Sequence, residues 1–502
     1  MAKRSGILFT VLFAFLFIGL TASCSNESIE VNVSIDPIII DAGYISGTMI
    51  GEVGKEVRIY RGIPYAAPPV GKLRWKPPQP AESWNGILEC TVYGNASPQN
   101  TEENILFVGP LSENCLYLNV LTPAKKASEK LPVMVWMHGG AYKEDSGSLE
   151  LYNLTPLPQN GIVLVTVNMR LGPIGLLAHP LLSKESPDDI SGNYMFFDMI
   201  AALQWVQRNI AVFGGNPENV TIFGQSGGAA KVGILMASPL TKGLYHKAII
   251  QSGGIGGPFA GRPMEDLESM GERFFAKLGV EMESNPLEAA RNLPWEKIIE
   301  IETSLSKELN MEDYGLWDSC IDGHFLSDTP VKIFETGKQV PVPLITCTNL
   351  GELTGPGVLV VPEMILGYLN MLNGTNKAGQ MGYASIFDQV PSKWKEEGCV
   401  SFHALELGYV FGDLNNISGF WTNVSFLALS SGAKNPEPGL TDIDRKIANN
   451  MMAMWTQFAR TGNPSVDGLV NWPAYDSETD QYLYIGESLE VRSGFSKIAQ
   501  ER

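Results

Sequence analysis

The chain has 502 residues and a formal charge of −18. That excess of acid disfavours nucleic-acid binding, which needs a basic face to displace counterions. A hydrophobic content of 44% with 18% charged residues describes a well-cored globular protein.

The N-terminus reads as a targeting segment. Lys3 and Arg4 precede an apolar run from Ile7 to Leu20, followed by Thr21-Ala22-Ser23-Cys24. The run is too short for a membrane span and suits the core of a secretory signal. The small residues before Cys24 resemble a bacterial lipobox, with Thr21 where leucine is favoured. Residues 1–23 are therefore expected to be a signal peptide. Cys24 becomes the lipidated first mature residue, and residues 24–37 a polar tether. The expected location is a bacterial membrane surface, with ordinary secretion as the alternative.

Further on, short apolar runs predict strands at Arg58 to Arg61, Cys115 to Val120 and Val133 to Met137. His138-Gly139-Gly140-Ala141 follows the third at once. Small residues there let backbone N–H groups approach a developing oxyanion. Gly140 and Ala141 are the expected donors, and His138 packs the loop. A strand at Ile162 to Val167 and a helix from Phe197 to Ile210 come next. Ala202, Trp205, Val206 and Asn209 fall near helical spacing.

A strand at Val220 to Phe223 then leads into Gly224-Gln225-Ser226-Gly227-Gly228 and a run of small residues. This is G-x-S-x-G between a strand and a helix, which is the context that makes the serine a nucleophile. The turn is crowded, and Gly224 and Gly228 have no Cβ to clash. The N–H of Gly227 is a third expected oxyanion donor. Gln251-Ser252-Gly253-Gly254 repeats the pattern with Ile250 in place of the first glycine. Ser252 is read as the end of another buried strand, Lys247 to Gln251.

The serine needs a base and an acid. Chain order Ser, acid, His leaves His246, His324 and His403, and position favours His403. Glu352 follows a predicted strand at Pro343 to Thr348, at the end where functional groups collect in an open parallel sheet. Asp322 is its competitor, and Glu406 is expected to make a structural hydrogen bond near His403. A helix from Asp442 to Arg460, whose Met451, Met452, Met454, Trp455 and Phe458 form a core face, and a strand at Tyr482 to Ile485 complete the chain. The result is an α/β fold with a mixed, mostly parallel sheet. No phosphate loop, dinucleotide fingerprint, H-E-x-x-H or C-x-x-C occurs, so no cofactor and no metal is expected.

These residues resemble the type-B carboxylesterase and cholinesterase family of α/β-hydrolases. The likeness runs through Tyr60-Arg61-Gly62-Ile63-Pro64-Tyr65-Ala66, Leu73-Arg74-Trp75-Lys76-Pro77-Pro78, Glu113-Asn114-Cys115-Leu116-Tyr117-Leu118-Asn119 and Arg170-Leu171-Gly172. It continues through Ala202 to Ile210, Phe213-Gly214-Gly215-Asn216-Pro217, the elbow, Trp455 to Pro464 and Trp472-Pro473. The resemblance implies one α/β-hydrolase domain over residues 38–502. It implies a Ser226, Glu352, His403 triad that cleaves carboxylic esters through an acyl-enzyme. It also implies a Cys90–Cys115 disulfide, and buried ion pairs among Arg61, Glu113, Arg170 and Asp198. Thioesters or amides, or a non-catalytic binding role on the same fold, are the alternatives.

The departures from the family are Gln225 for Glu, Gly227 for Ala, Leu353 for Gly and Ala404 for Gly. Gln225 removes a negative charge beside the site. The loop between Cys90 and Cys115 has Tyr93 and Phe107 but no Trp for a quaternary ammonium. Both features argue against acetylcholine. Fifty residues separate Glu352 from His403, fewer than is usual for the family. A helix from Pro362 to Leu372, a break at Asn373-Gly374-Thr375 and a strand near Ala384 to Phe387 are expected there. The shortened wall implies an open cleft for short-chain esters and bulky alcohols.

Overall fold

The computed structural model describes residues 37–101, 108–311, 316–352, 361–414 and 437–499. The expected signal peptide, Cys24, most of the tether, Phe107 and Leu353 lie outside the described residues.

An eleven-stranded sheet forms the centre. In chain order its strands are β1 (Thr48–Ile50), β2 (Val57–Pro64), β3 (Tyr117–Thr122), β4 (Leu131–Met137), β5 (Val163–Val167) and β6 (Gly215–Gln225). Then come β7 (Lys247–Gln251), β8 (Leu344–Asn349), β9 (Gly382–Phe387), β10 (Gln481–Ile485) and β11 (Leu489–Ser493). Across the sheet the order is β11-β10-β9-β8-β7-β6-β4-β5-β3-β2-β1. The strands from β5 through β4 and β6 to β10 pair in parallel, and both ends of the sheet are antiparallel.

The central strands are buried and rich in apolar residues because helices cover both faces. Alternation along a strand divides its side chains between two cores. Val133, Val135 and Met137 of β4 enter one, while Met134 and Trp136 enter the other. In the second core Trp136 meets Phe223 at 4.8 Å, Tyr152 at 5.0 Å and Phe411 at 5.1 Å between ring centroids. Such ring pairs contribute about 0.5–1.5 kcal/mol each beyond area burial.

Helix α1 (Tyr194–Asn209) packs on the first core, and α2 (Gly227–Ala237) follows β6. Helix α3 (Val361–Lys377) runs five residues past the expected Leu372. The Asn373-Gly374-Thr375 turn signal fails for a packing reason. A Cβ on Gly374 would lie 2.4 Å from the Phe334 carbonyl oxygen, so this glycine serves a close helix approach rather than a stop. Helix α4 (Asp442–Thr461) opens with a capping box between Thr441 and Asp444. Its Met451, Met454, Trp455 and Phe458 are buried in the second core, as expected.

Two bidentate ion pairs brace the first core. Arg170 Nε and Nη2 donate to Asp198 at 2.8 and 2.6 Å, as the resemblance implied. Glu113 takes Arg74 (Nε to Oε1 2.6 Å), and Arg61 lies over the Tyr93 ring. Removing one partner from such a buried pair costs about 3–5 kcal/mol.

The expected Cys90–Cys115 disulfide is corrected. Both are free, buried thiols. Cys90 lies by Tyr60, whereas Cys115 lies beside Ser97 and the Arg170–Asp198 pair. Backbone bonds already hold the two ends of this loop to β2 and the residue after it. Arg61 N donates to Cys90 O at 2.8 Å, and Tyr65 N to Leu116 O at 3.2 Å. Burial pushes the Cys90 thiol up to about 12, so little thiolate is available for oxidation.

Candidate active site

Strand β6 ends at Gln225 and α2 begins at Gly227, leaving Ser226 at the turn between them with φ 57° and ψ −126°. That backbone is costly for any residue with a Cβ and is held only where the surroundings determine it. A Cβ on Gly224 would lie 2.5 Å from the Gly228 carbonyl, and one on Gly228 would overlap the Met137 carbonyl at 2.0 Å. The two glycines therefore let the elbow sit against the end of β4. Ser226 N donates to Gln251 O at 2.9 Å, which ties the elbow to β7.

The loop after β4 folds over this turn. Gly140, Ala141 and Tyr142 all have positive φ (79°, 47° and 65°). For Ala141 and Tyr142 that conformation costs roughly 1–2 kcal/mol each. A Cβ on Gly227 would lie 2.7 Å from Ala141 N, so this amide packs directly over the residue following the serine. Beneath the loop, the buried Lys231 of α2 donates from Nζ to His138 O (2.9 Å) and Gly139 O (3.1 Å). Burial pulls the Lys231 ammonium below the ordinary lysine range and lifts the carboxyl of its neighbour Asp145 above its own. Asp145 accepts from Ser146 N at 2.6 Å and from the Tyr152 hydroxyl at 3.0 Å. His138 is buried and held neutral by burial and by Lys231.

Glu352 and His403 come from the loops beyond β8 and β9. His403 Nδ1 donates to Glu352 Oε2 at 2.6 Å. Glu352 Oε1 accepts from Asn349 N and Thr348 Oγ1, each at 2.7 Å. The two loops are joined by Gly351 N donating to Ser401 O at 2.9 Å and by Leu350 N to Ser401 Oγ at 3.0 Å. Burial opposes charge on Glu352, but His403 and hydrogen bonds hold it below the usual range. Burial likewise pulls His403 down, and the Glu352 charge and hydrogen bond outweigh it, leaving the imidazole raised. With Nδ1 donating, Nε2 carries the lone pair, and it accepts from Gln225 Nε2 at 3.2 Å.

A second carboxylate backs the first. Glu406 accepts from Asn349 Nδ2 at 2.6 Å and faces Gln251 Nε2 and Ser252 Oγ at 3.4 Å. Burial and the Glu352 charge push it up to about 7. The structural reading of Glu406 near His403 thus has its partners. Ser252 ends β7 as expected, yet it also has positive φ (48°) and lies between these two acids.

The remaining sequence candidates stand apart. Asp322 caps a turn, accepting from the backbone of His324, Phe325 and Leu326 and from Asn193 Nδ2. His324 is exposed on that turn. His246 accepts from Val220 N at 3.1 Å at the start of β7. Two contacts escaped the sequence reading: Gln225 on His403, and Lys231 under the loop. Lys231 had a signal, being the one charged residue in the otherwise apolar GGAAKVGILMA of α2.

A cleft of about 110 Å³ opens on Ser226, between Ala141, His403, Ile255, Phe259, Met364 and Tyr368. Among the described residues no cluster of three or more His, Cys, Asp or Glu is arranged to hold a metal. Nor is any described helix long and apolar enough to cross a membrane.

Comparison with known proteins agrees with this chemistry. The model of the Carboxylesterase family matches residues 34–362 and 363–500. The chain is 31% identical to a para-nitrobenzyl esterase of Bacillus subtilis over 494 residues, covering 89% of this chain and 95% of that one. It is 33% identical to a fumonisin B1 esterase of Sphingopyxis macrogoltabida over 478 residues, covering 86% and 84%. Among solved structures, a PNB esterase superposes with a TM-score of 0.77 at 28% identity, covering 93% of this chain and 99% of that one. A Geobacillus stearothermophilus carboxylesterase superposes with a TM-score of 0.73 at 29% identity, covering 92% and 99%. The chain belongs to the carboxylesterase family of α/β-hydrolases and is a carboxylic ester hydrolase that works through a serine acyl-enzyme.

Proposed function

We propose that Ser226 is the nucleophile, His403 the general base, Glu352 its orienting acid, and the N–H groups of Gly140, Ala141 and Gly227 the oxyanion hole. The observation that carries this is the 2.6 Å Glu352–His403 hydrogen bond beside a serine in a strained elbow. Ser226 Oγ attacks the ester carbonyl and gives its proton to His403 Nε2. For this the serine hydroxyl takes the place of the Gln225 amide at Nε2. The carbonyl oxygen becomes an oxyanion held by the three N–H groups. As the C–O bond breaks, His403 returns the proton to the departing alcohol. Water, activated by the same imidazole, then frees the acid and restores Ser226. Glu352 stays ionised throughout and stabilises the imidazolium.

The small cleft suits short acyl chains, and Gln225, unlike the glutamate it replaces, offers a cationic alcohol no charge. The relatives named for para-nitrobenzyl and fumonisin esters point to bulky alcohol portions as well. Short-chain aryl esters and tert-butyl acetate are the first substrates to assay. We read residues 1–23 as the export signal, Cys24 as a lipid attachment point and residues 38–502 as one catalytic domain. Replacing Cys24 by Ser would release the protein from membranes.

Ser226→Ala tests the assignment. It is expected to cost on the order of 10⁶ in turnover of p-nitrophenyl acetate, as loss of a triad serine does elsewhere. Ser252→Ala would be far milder. Activity of Ser226→Ala within tenfold of wild type overturns the reading.

A further inference from the structure

We propose that Lys231 is a positioning residue of the oxyanion hole, gripping the His138 and Gly139 carbonyls so that the opposite edges of the same peptides face Ser226. The proposal rests on the triad and oxyanion-hole reading above. Lys231 lies four residues into α2. Side chains on a helix lean toward its N-terminus, which here is the elbow itself. Its Nζ reaches two successive carbonyls, His138 O at 2.9 Å and Gly139 O at 3.1 Å, and lies 5.9 Å from the Tyr142 ring centroid.

The geometry of the peptide unit supplies the rest. In a trans peptide the C=O and the following N–H point to opposite sides. A bond from Lys231 to Gly139 O therefore fixes the Gly140 N–H on the far side of that plane. The nucleophile lies close to this peptide: a Cβ on Gly139 would sit 3.5 Å from Ser226 Cβ, and Ala141 N packs over Gly227. The three left-handed residues that follow, Gly140 to Tyr142, hold an unfavourable backbone in place, and a loop of that kind relaxes unless something anchors its start. Lys231 is such an anchor, with Tyr142 O accepting from Gly172 N at the other end.

The charge has a neighbour. Asp145 lies across from Lys231, with His138 Nδ1 3.8 Å from its Oδ2 and Tyr152 and Ser146 donating to it. A buried polar network of Lys231, Asp145, Ser146 and Tyr152 beneath the hole gives its donors a fixed frame that need not reorganise when negative charge appears above them.

The test compares wild type, Ser226→Ala, Lys231→Met and the double variant K231M/D145N in p-nitrophenyl acetate hydrolysis. A trifluoromethyl ketone serves as the tetrahedral analogue. Loss of one direct oxyanion donor costs about 10²–10³ in kcat, so loosening the loop is expected to cost about 10–10². KM should stay within about threefold, and the affinity for the ketone should fall by the same factor as kcat/KM. The double variant leaves no buried charge unpaired, so it answers the question if Lys231→Met does not fold. Unchanged kcat in a folded Lys231 variant overturns the positioning role, as does a loss confined to KM with ketone affinity intact. Absence of Ser226-dependent turnover in wild type would instead overturn the underlying site assignment.

Discussion

Replacing Glu352 by Gln keeps the size of the side chain and removes the charge that faces His403 Nδ1 across 2.6 Å. Two unit charges at that separation attract by about 6 kcal/mol at an effective dielectric of about 20. This bounds what the carboxylate contributes when the imidazole becomes positive during attack. At about 1.36 kcal/mol per decade the bound lies between 10⁴ and 10⁵ in rate. Removing the orienting charge of another triad lowers kcat by about 10⁴, and that is the loss expected here. The pH profile gives a second reading. In wild type the Glu352 charge and hydrogen bond outweigh burial and raise His403, so the acidic limb of kcat/KM lies above the ordinary histidine value of about 6.5. In Glu352→Gln burial is left to dominate, and the limb moves to lower pH. Initial rates on p-nitrophenyl acetate from pH 5 to 9 measure both. A loss below tenfold, or a limb that does not move, refutes the reasoning. So does a greater loss in Asp322→Asn, since Asp322 is occupied by its own turn.

Glu406 is held protonated up to about pH 7 in the fold by burial and by Glu352, while its ordinary value is 4.5. The native state therefore binds more protons than the unfolded chain between those values, and stability falls as pH rises through that window. Glu406→Gln removes the penalty, so its Tm relative to wild type should rise from pH 5 to pH 8; a constant difference would count against the argument. The cysteines give a simpler check. With Cys90 and Cys115 free, dithiothreitol should leave Tm unchanged, whereas loss of a native bridge would cost about 2–5 kcal/mol.

The parts of this site that the sequence carried are those held by short-range chemistry. Strand, glycine, serine, glycine and small residues in succession describe an elbow because the crowding is local, and Gly228 packs against Met137 O for that reason. The strands β4, β5 and β7 were legible within two residues because burial on both faces leaves each with a continuous apolar run. What escaped depends on distant partners. Strand β6 begins at Gly215, five residues before its apolar stretch, because Leu131 pairs with Gly215 across a bulge. The three-stranded sheet of Ile38–Ile40, Gly43–Ser46 and Ile87–Glu89 unites segments more than forty residues apart. Gln225 was judged by the charge it lacks, and only the fold shows its amide on His403. Arg74 as the partner of Glu113, and the absence of a bridge at Cys90, likewise follow from where loops settle.

The alternation of β4 between two cores makes the sheet a party wall with different tenants on each side. Trp136 belongs to one room and Val135 to the other. Inserting one residue before Trp136 would turn every following side chain to the opposite face. The indole would leave its ring of Tyr152, Phe223 and Phe411, and Met137 would no longer meet the glycines of the elbow. Length changes in such a strand are therefore all-or-nothing, failing in both rooms and at the serine together. The loops beyond the strand ends obey no such parity. Variation in what the enzyme accepts is free to accumulate there, while the frame that aims Ser226 admits substitution but not insertion.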